Sequence, residues 1–257
     1  MTIRALFVSD IHISAPDDAR ALLFGELLDQ CTISQVSQLF LVGDIFDFWI
    51  ADRTYFKERY AGLTSKIRRL IESGVRVHYF EGNHDLDLRA FWQHKLGAEV
   101  HSEAAYFHVG SLTIRVEHGD QMDPNDTGYL FLRWLLRTRV LVWLGRNLPG
   151  SWVQWIGQRA SAQSRDYTTQ VKVTTDEEAR AKIRTHARQV FERRPFDVLV
   201  SGHVHVGEDS LQVVNSGSFR CIGLGTWLKE PMLLEVDGTT SVLKGVNDFL
   251  LKHEEKK

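Results

Sequence analysis

Short runs of apolar residues recur along the chain, and each ends at glycine, asparagine, aspartate or histidine. The five clearest runs, with their last residues, are IRALFVSD, QLFLVGD, VRVHYFEGN, LTIRVEHGD and FDVLVSGH. Continuous apolar runs of this length are typical of strands that are buried on both faces of a sheet. The pattern therefore predicts a central sheet of buried strands.

Helical patterns lie between the early strands. They extend over about 18–30 and 55–73, and Gly74 is a helix stop signal after the second. This alternation is typical of βαβ units with helices outside the sheet. After Gly207 the strand-like runs become shorter and glycine-containing breaks separate them, which predicts a second, more antiparallel sheet. Together these elements indicate a layered α/β sandwich.

Length and composition narrow the possible classes of protein. A chain of 257 residues that is 43% hydrophobic fits one large domain or two small ones, and we favour a single domain over 1–257 with an insertion. The formal charge of −2 gives no basic field, so nucleic-acid binding has no support. Cys31 and Cys221 are far apart and form no CxxC pair, which favours a reducing compartment and argues against a cysteine zinc site.

Two apolar segments bear on membrane insertion. The run from Ile3 to Val8 lacks the pattern of a signal peptide, so we expect no export. The stretch 129–148 contains four arginines, whereas a spanning helix needs about 20 nearly uncharged residues. We therefore expect no transmembrane segment.

Side chains with oxygen or nitrogen ligand atoms follow all five predicted strands. They occur in DIH, GD, GNHD, HGD and GHVH, and the candidate metal ligands are Asp10, His12, Asp44, Asn83, His118, His203 and His205. Because ligands bind beyond the carboxyl ends of strands in open α/β sheets, we expect the five loops to meet at one edge. Asp44 is the candidate bridge, since the two oxygens of a carboxylate can bind two cations.

Each motif alone also has a structural explanation. Asp10 fits a surface aspartate near a turn, Gly82-Asn83 fits an Asx turn, and a single histidine after a strand is commonly structural or exposed. The combination favours metal binding, because seven oxygen and nitrogen ligands without thiolate suit borderline ions such as Mn²⁺, Fe²⁺ or Zn²⁺. Two such ions, about 3.5–4 Å apart, bridge a water, lower its pKa and stabilise in-line displacement at phosphorus.

The order of the five motifs resembles the calcineurin-like metallophosphoesterase family, from Asp10 to about Trp227. The resemblance implies an α-β-β-α sandwich of two mixed sheets. It also implies a metal-dependent hydrolase of phosphoric ester or anhydride bonds, in which a hydroxide that bridges two metals attacks phosphorus. The two implied ligand sets share the bridge, and they are Asp10, His12, Asp44 and His205 for one ion and Asp44, Asn83, His118 and His203 for the other.

The same resemblance implies roles for residues beside the metals. The histidine of GNHD contacts phosphate and helps to protonate the leaving group in that family, which gives this role to His84. Asp85 is then expected to orient the imidazole of His84. The catalytic candidates are thus Asp44, His84 and Asp85, and Asn83 and His84 are candidate substrate contacts. Asp120 is expected to hydrogen-bond a histidine or a loop amide.

A long gap before the last motif predicts an insertion. The first gaps between motifs are 32, 39 and 35 residues, but 85 residues separate His118 from His203. Because a βα unit needs only about 30 residues, we predict a helical lid insertion over about 122–192, close to the metals. Its stretch 124–165 holds six arginines, one acidic residue and four of the seven tryptophans.

The composition of the insertion fits two structures. Its helical patterns, 128–145 and 151–164, can form an αα cap whose aromatic residues pack on the body. They can also form a lid with an apolar groove and an arginine rim, which suits a substrate with acyl chains and a diphosphate. Arginine with tryptophan also suits contact with an anionic membrane surface.

A second resemblance lies within the family. The segment GDIFDFWIAD, the spacing from Asp123 to Tyr129 and the insertion are similar to the enzymes of lipid A biosynthesis that hydrolyse UDP-2,3-diacylglucosamine to UMP and 2,3-diacylglucosamine 1-phosphate. This resemblance implies an acylated nucleotide-sugar substrate, two Mn²⁺ ions and a cytoplasmic protein at the periphery of the inner membrane. The implied substrate contacts are Trp49, Tyr129, Gln163 and Arg165, together with Trp152 and Trp155 of the lid.

Three functions stay open from the sequence. The first is hydrolysis of that lipid-linked nucleotide sugar. The second is phosphodiester or phosphomonoester hydrolysis on another substrate, which His84 favours because the lipid A group commonly has arginine there. The third is a non-catalytic scaffold that binds a partner through its tryptophan-rich helices, although a scaffold has no need for seven matched ligands. No other feature of the sequence indicates a protein partner.

Overall fold

The computed structural model describes residues 4–123, 126–147 and 175–254. The strands are β1 (Ala5–Val8), β2 (Gln38–Leu41), β3 (Trp49–Ile50), β4 (Arg76–Phe80), β5 (Asp85–Leu86), β6 (Glu99–His101), β7 (Ala105–Val109), β8 (Leu112–Glu117), β9 (Val198–Ser201), β10 (Gly207–Val214), β11 (Gly217–Leu224), β12 (Met232–Val236) and β13 (Ser241–Gly245). The helices are α1 (Ala19–Ile33), α2 (Thr54–Arg59), α3 (Ala61–Glu72), α4 (Thr127–Leu136), α5 (Arg139–Asn147), α6 (Asp176–Arg193) and α7 (Val246–Glu254). A 3₁₀ turn (Leu88–Ala90) and a π turn (Trp92–Leu96) precede β6.

Two mixed sheets form the centre of the fold. The first has the order β13-β12-β1-β2-β4-β6, and β1, β2, β4 and β6 run parallel. The second has the order β10-β11-β9-β8-β7, with a parallel centre of β11, β9 and β8. The five apolar runs of the sequence are β1, β2, β4, β8 and β9. The prediction of buried strands is confirmed for β1, β2 and β9, and for β4 except Arg76, whereas only half of β8 is buried.

The strands after Gly207 do not form a sheet of their own, so that expectation was wrong. Strands β10 and β11 extend the second sheet, whereas β12 and β13 cross to the first sheet, where β12 pairs antiparallel with β1. The local pairings are antiparallel, as the pattern predicted. The partners β1 and β9 are distant in sequence, and a local pattern carries no information about them.

Helices cover the outer faces of both sheets, which confirms the α-β-β-α sandwich. Side chains of α1, α3 and α7, among them Phe24, Ile67 and Phe249, pack on the first sheet. The inner layer between the sheets includes Phe7, Phe40 and Val200. Helix α6 packs on the second sheet through Ile183, Ala187, Val190 and Phe191. The last part of the range predicted as a lid, 176–192, is therefore part of the outer helical layer.

Local sequence signals set several helix ends. Asp18 caps α1 by accepting a hydrogen bond from the Arg20 amide, at 2.9 Å. Thr175 and Glu178 form a capping box at the start of α6. The pattern predicted as one helix over 55–73 is two helices that meet at Tyr60, whose ring packs in the aromatic core against Phe46. Within the described ranges, no helix is both long enough and apolar enough to span a bilayer.

Candidate metal centre

The five motif loops meet at one end of the two sheets, as expected from their positions at the carboxyl ends of strands. Strands β1, β2 and β4 of the first sheet and β8 and β9 of the second all lead into them. Three groups of residues lie there, and within each group the ligand atoms are at most 4.8 Å from one another. The groups are Asp10, His12 and His205; Asp10, Asp44 and His118; and His12, Asp44 and His84. The shared members make this one continuous cluster.

One side of the cluster is formed by Asp10, His12 and His205. Nε2 of His205 lies 3.1 Å from Oδ1 of Asp10 and 3.1 Å from Nε2 of His12. Nε2 of His12 lies 3.9 Å from the same carboxylate oxygen. Ligands at about 2.1 Å from a shared cation are roughly 3 to 4 Å apart in tetrahedral or octahedral geometry. These separations therefore fit one ion.

The other side is formed by Asn83, His118 and His203. Oδ1 of Asn83 lies 3.1 Å from Nε2 of His118 and 2.9 Å from Nδ1 of His203. Asp44 joins this side, because its Oδ2 lies 3.5 Å from Nε2 of His118. The carboxylate also belongs to the group with His12, so Asp44 lies between the two sides of the cluster.

Backbone contacts fix the orientation of the imidazoles. Nδ1 of His118 lies 2.9 Å from the carbonyl oxygen of Val42, so an Nδ1–H donor leaves Nε2 to face the cluster. Nδ1 of His84 has the same kind of contact with the carbonyl oxygen of Asp47, at 2.7 Å. Nε2 of His84 then lies 3.9 Å from Oδ2 of Asp44.

Five of the seven candidate ligands have left-handed backbone conformations. Their φ angles are 51° at Asp10, 52° at His12, 54° at Asp44, 66° at His203 and 58° at His205. Residues other than glycine rarely adopt this conformation, although asparagine, aspartate and histidine adopt it more often than the rest. Such conformations concentrate at functional sites. Only three other non-glycine residues of the described ranges have positive φ, namely Gln35, Ala51 and Asp87. The strand ends are therefore bent specifically where they deliver ligands.

Sequence reasoning missed the role of the motif glycines. A Cβ atom at Gly43 would lie 2.2 Å from Nδ1 of His118, and one at Gly82 would lie 2.1 Å from Oδ1 of Asp44. Gly202 has the same relation to Asp10, at 2.3 Å from Oδ2. Each glycine thus leaves room for a ligand from a different loop. The glycines in GD, GNHD and GH were visible as a signal, but only the structure shows which ligand each one accommodates.

The electrostatics of the cluster indicate a cation site. Asp10 and Asp44 are almost completely buried. Burial raises the pKa of Asp44, but His84 and His118 outweigh it and hold that pKa well below its ordinary value. Burial lowers the pKa of His118, yet the charge of Asp44 raises it to about 10. Two buried carboxylates whose pKa values are held low favour positive charge between them.

The expected role of Asp85 was wrong, because its carboxylate does not orient His84. Oδ2 of Asp85 accepts hydrogen bonds from the amides of Asp44, at 3.0 Å, and Gly82, at 3.1 Å. Oδ1 accepts one from the hydroxyl of Tyr79, at 3.2 Å. Asp85 thus ties the GD loop to the GNHD loop, whereas the carbonyl oxygen of Asp47 orients His84.

The implied substrate contacts fall in different places. The hydroxyl of Tyr129 donates to Asp120 at 2.8 Å, and the Tyr129 ring centroid lies 6.0 Å from that of His203. Asp120 also accepts from Nε of Arg133, at 2.6 Å, so the carboxylate anchors α4 instead of contacting a histidine. Trp49 is completely buried in an aromatic cluster, which favours a packing role over direct substrate contact. Trp152, Trp155, Gln163 and Arg165 lie outside the described residues.

The donor set fits a pair of divalent ions. Carboxylate, imidazole and amide ligand atoms converge, with separations between ligand atoms that suit a shared cation. The backbone carbonyl of Val42 fixes the imidazole of His118 so that its other nitrogen faces the cluster. Borderline ions such as Mn²⁺, Fe²⁺ and Zn²⁺ accept such a mixed set. The described residues therefore support metal binding but do not select one of these ions.

Comparison with known proteins finds relatives that align over most of this chain. A curated relative from Pseudomonas putida (strain W619), "UDP-2,3-diacylglucosamine hydrolase", is 29% identical over 240 residues, which cover 90% of this chain and 94% of the relative. A protein with the same name from Nitrosococcus oceani is 27% identical over 221 residues, or 86% of each chain. The solved structure of Yfce, a phosphoesterase from E. coli, is 18% identical, with a TM-score of 0.48 over 96% of this chain and 94% of that one.

The similarity to a known family extends over most of the chain and not only over the five motifs. The Calcineurin-like phosphoesterase family matches residues 3–207, which include all seven candidate ligands and β1 to β9. With this match and the convergence of the ligands, the chain belongs to the calcineurin-like phosphoesterase family.

Proposed function

We propose that this chain hydrolyses the diphosphate of UDP-2,3-diacylglucosamine to UMP and 2,3-diacylglucosamine 1-phosphate. The observation that carries the hydrolytic part is the complete set of seven ligand residues at one edge of the sandwich. The substrate part is supported by the names of the relatives, which align over most of this chain. It is also supported by the helices that attach beside the metal centre.

The proposed chemistry divides between the ions and the chain. When bound, a pair of divalent ions supplies an activated water and neutralises charge on the phosphate oxygens. Asp44 faces both sides of the cluster, so its carboxylate would contribute a ligand to each ion. We propose Mn²⁺ as the resident metal, because the carboxylate and amide-carbonyl oxygens of the site suit it and the resemblance to the lipid A enzymes implies it.

His84 is the proposed phosphate contact and proton donor. Its Nδ1 is held at the Asp47 carbonyl, and its ring stands at 5.0 Å and a steep angle to that of His12. Nε2 is therefore left on the side of Asp44, where the reacting phosphate would bind. A protonated imidazole there can stabilise negative charge and donate a proton to the leaving group.

Helices α4 and α5 are the proposed start of a lid for the acyl chains. Tyr129 and Arg133 fix α4 to Asp120, two residues after the ligand His118. Large apolar side chains of α4 and α5 are more than half exposed: Phe131 at 61%, Trp134 at 63%, Val140 at 71% and Trp143 at 61%. Exposed apolar area of this kind is typical of surfaces that bind a lipid, a membrane or a partner. The same surface suits a peripheral position at the cytoplasmic face of the inner membrane.

Incubation of the purified chain with Mn²⁺ and UDP-2,3-diacylglucosamine tests the proposal, with UMP release as the readout. We expect release that depends on Mn²⁺ and disappears in Asp44→Ala. A Trp152→Ala/Trp155→Ala variant should raise KM for this substrate much more than KM for a small aryl phosphodiester. If the chain hydrolyses the aryl phosphodiester but releases no UMP with Mn²⁺, Fe²⁺ or Zn²⁺, the proposed substrate is refuted. The assignment as a phosphohydrolase would then still hold.

His84 favours a second candidate, hydrolysis of a phosphodiester or phosphomonoester without acyl chains. The variant His84→Arg separates the two, because it introduces the residue that is common in the lipid A group. If UDP-2,3-diacylglucosamine is the substrate, arginine should keep the phosphate contact while the proton donor is lost, so His84→Arg should lose less UMP release than His84→Ala. A collapse of all phosphohydrolase activity in that variant, with turnover of non-acylated esters by the parent chain, would favour the second candidate.

A further inference from the structure

A second group of potential metal ligands lies at the edge of the first sheet, apart from the seven ligands above. His78 lies on β4, and Glu99 and His101 lie on the edge strand β6. His78 and Glu99 are direct neighbours in the parallel ladder, and His101 follows two residues later on the same face. The register of two strands therefore brings one carboxylate and two imidazoles together.

The ligand atoms of this group converge on Nδ1 of His78. This nitrogen lies 3.3 Å from Nε2 of His101 and 3.4 Å from Oε2 of Glu99. All three ligand atoms lie within 4.8 Å of one another. A carboxylate–imidazolium hydrogen bond is shorter, about 2.7–2.9 Å. Ligands at about 2.05 Å in a tetrahedral zinc site are separated by about 3.3 Å, which matches the two measured distances.

The surroundings hold the two imidazoles in place. His78 is 1% exposed and stacks on Phe40, with ring centroids 4.5 Å apart. His101 stacks on Phe80 at 4.7 Å and meets Phe107 edge-on. These aromatic contacts fix the rings without using the nitrogens that face the group. A ligand set that is rigid before binding loses little conformational entropy when a cation enters.

Access and charge also suit a cation. The side chain of Glu99 is 55% exposed, so the group opens to solvent on one side. Glu99 supplies a negative charge, and the two imidazoles supply nitrogen ligand atoms. Nε2 of His78 is buried and has no hydrogen-bond partner among the described residues. The only polar contacts of the ring are therefore those within the group.

We propose that His78, Glu99 and His101 form a binding site for a single divalent cation of the zinc type, with water as a fourth ligand. The cation would join β6 to β4, so the site would stabilise the edge of the first sheet. Two imidazoles and one carboxylate are a known ligand combination for zinc. The site shares no ligand with the two-metal centre, so it does not depend on the proposed substrate.

Metal content after equilibration with Zn²⁺ tests this site. The full chain, its Glu99→Gln and His101→Phe variants and a Glu72→Gln control are dialysed against the same buffered Zn²⁺ concentration. His101→Phe keeps an aromatic ring on Phe80, and Glu99→Gln changes a half-exposed side chain, so both are compatible with folding. Glu72 is an exposed carboxylate on α3 and controls for lost charge.

We expect His101→Phe to bind one Zn²⁺ fewer per chain than both the parent chain and the control. Glu99→Gln should bind that ion at least about tenfold more weakly. Substitution with Co²⁺ should add a tetrahedral visible absorption band that is absent from His101→Phe. Equal Zn²⁺ content in the parent chain and both variants would overturn the proposal, as would a Co²⁺ spectrum that the substitutions do not change. The difference between chains is the readout, so the result is independent of the occupancy of the two-metal centre.

Discussion

Gly82→Ala tests whether the metal centre depends on the space that a motif glycine leaves. A Cβ atom at this position would lie 2.1 Å from Oδ1 and 2.8 Å from Cγ of Asp44. Gly82 is not among the glycines with positive φ, so its backbone conformation accepts alanine and the effect comes from the added methyl group. Favourable non-bonded separations are about 3.5 Å, so the Asp44 carboxylate oxygen must move by about 1.4 Å.

The displacement predicts a defined loss of activity. A misplacement of about 1 Å in a catalytic arrangement can cost about 10²-fold in rate, or about 2.7 kcal/mol of transition-state stabilisation. Because Asp44 faces both sides of the cluster, we expect weaker binding of both ions. Turnover of an aryl phosphodiester during Mn²⁺ titration gives kcat and the Mn²⁺ requirement, and elemental analysis gives the metal content.

Gly62→Ala is the matched control, because a Cβ at Gly62 meets nothing within 4 Å. This position lies within α3, so alanine should leave activity unchanged and stabilise the fold by about 0.5–1 kcal/mol. Urea unfolding separates a local effect from a global one. A Gly82→Ala enzyme with kcat within about twofold of the parent, and with the same Mn²⁺ requirement, would refute the argument from space.

Three further outcomes follow from the structure. His84→Ala should lower kcat by about 10²-fold, because a general acid is lost, and Asp44→Ala should lower it further; the reverse order in the aryl phosphodiester assay would contradict the assignment. Arg133→Met should speed hydrogen exchange in α4, because Asp120 loses its charged partner; unchanged exchange would contradict the anchor. Asp18→Ala should cost about 1 kcal/mol as a lost N-cap. Burial raises the Asp18 pKa, but hydrogen bonds from Arg20 lower it to about 2. This contribution should thus be present above pH 4 and fade as pH falls towards 2; a cost in urea unfolding that did not fade would refute it.

The sequence by itself determined the five apolar strands and the positions of the candidate ligands after them. Strands β1, β2 and β9 are buried on both faces, so each appears as a continuous apolar run. The first polar residues after such a run lie at the end of the sheet. Asp10, Asp44 and Asn83 were identified for that reason. Such signals are local, and they survive in a single sequence without knowledge of the partners.

Tertiary structure alone decided which distant residues meet. Strand β12 pairs with β1, which lies more than 200 residues earlier in the chain. Gly43 lies against His118, and Asp85 accepts a hydrogen bond from the Asp44 amide, so both contacts join different motifs. The site of His78, Glu99 and His101 likewise depends on the register of β4 and β6. Hydrophobic periodicity specifies which face of a strand is buried. The same periodicity fits every pairing partner and every register that keeps this face inward, so it does not distinguish among them. The choice among partners is made by packing and hydrogen bonding over the whole sandwich, and these interactions exist only after the chain has folded.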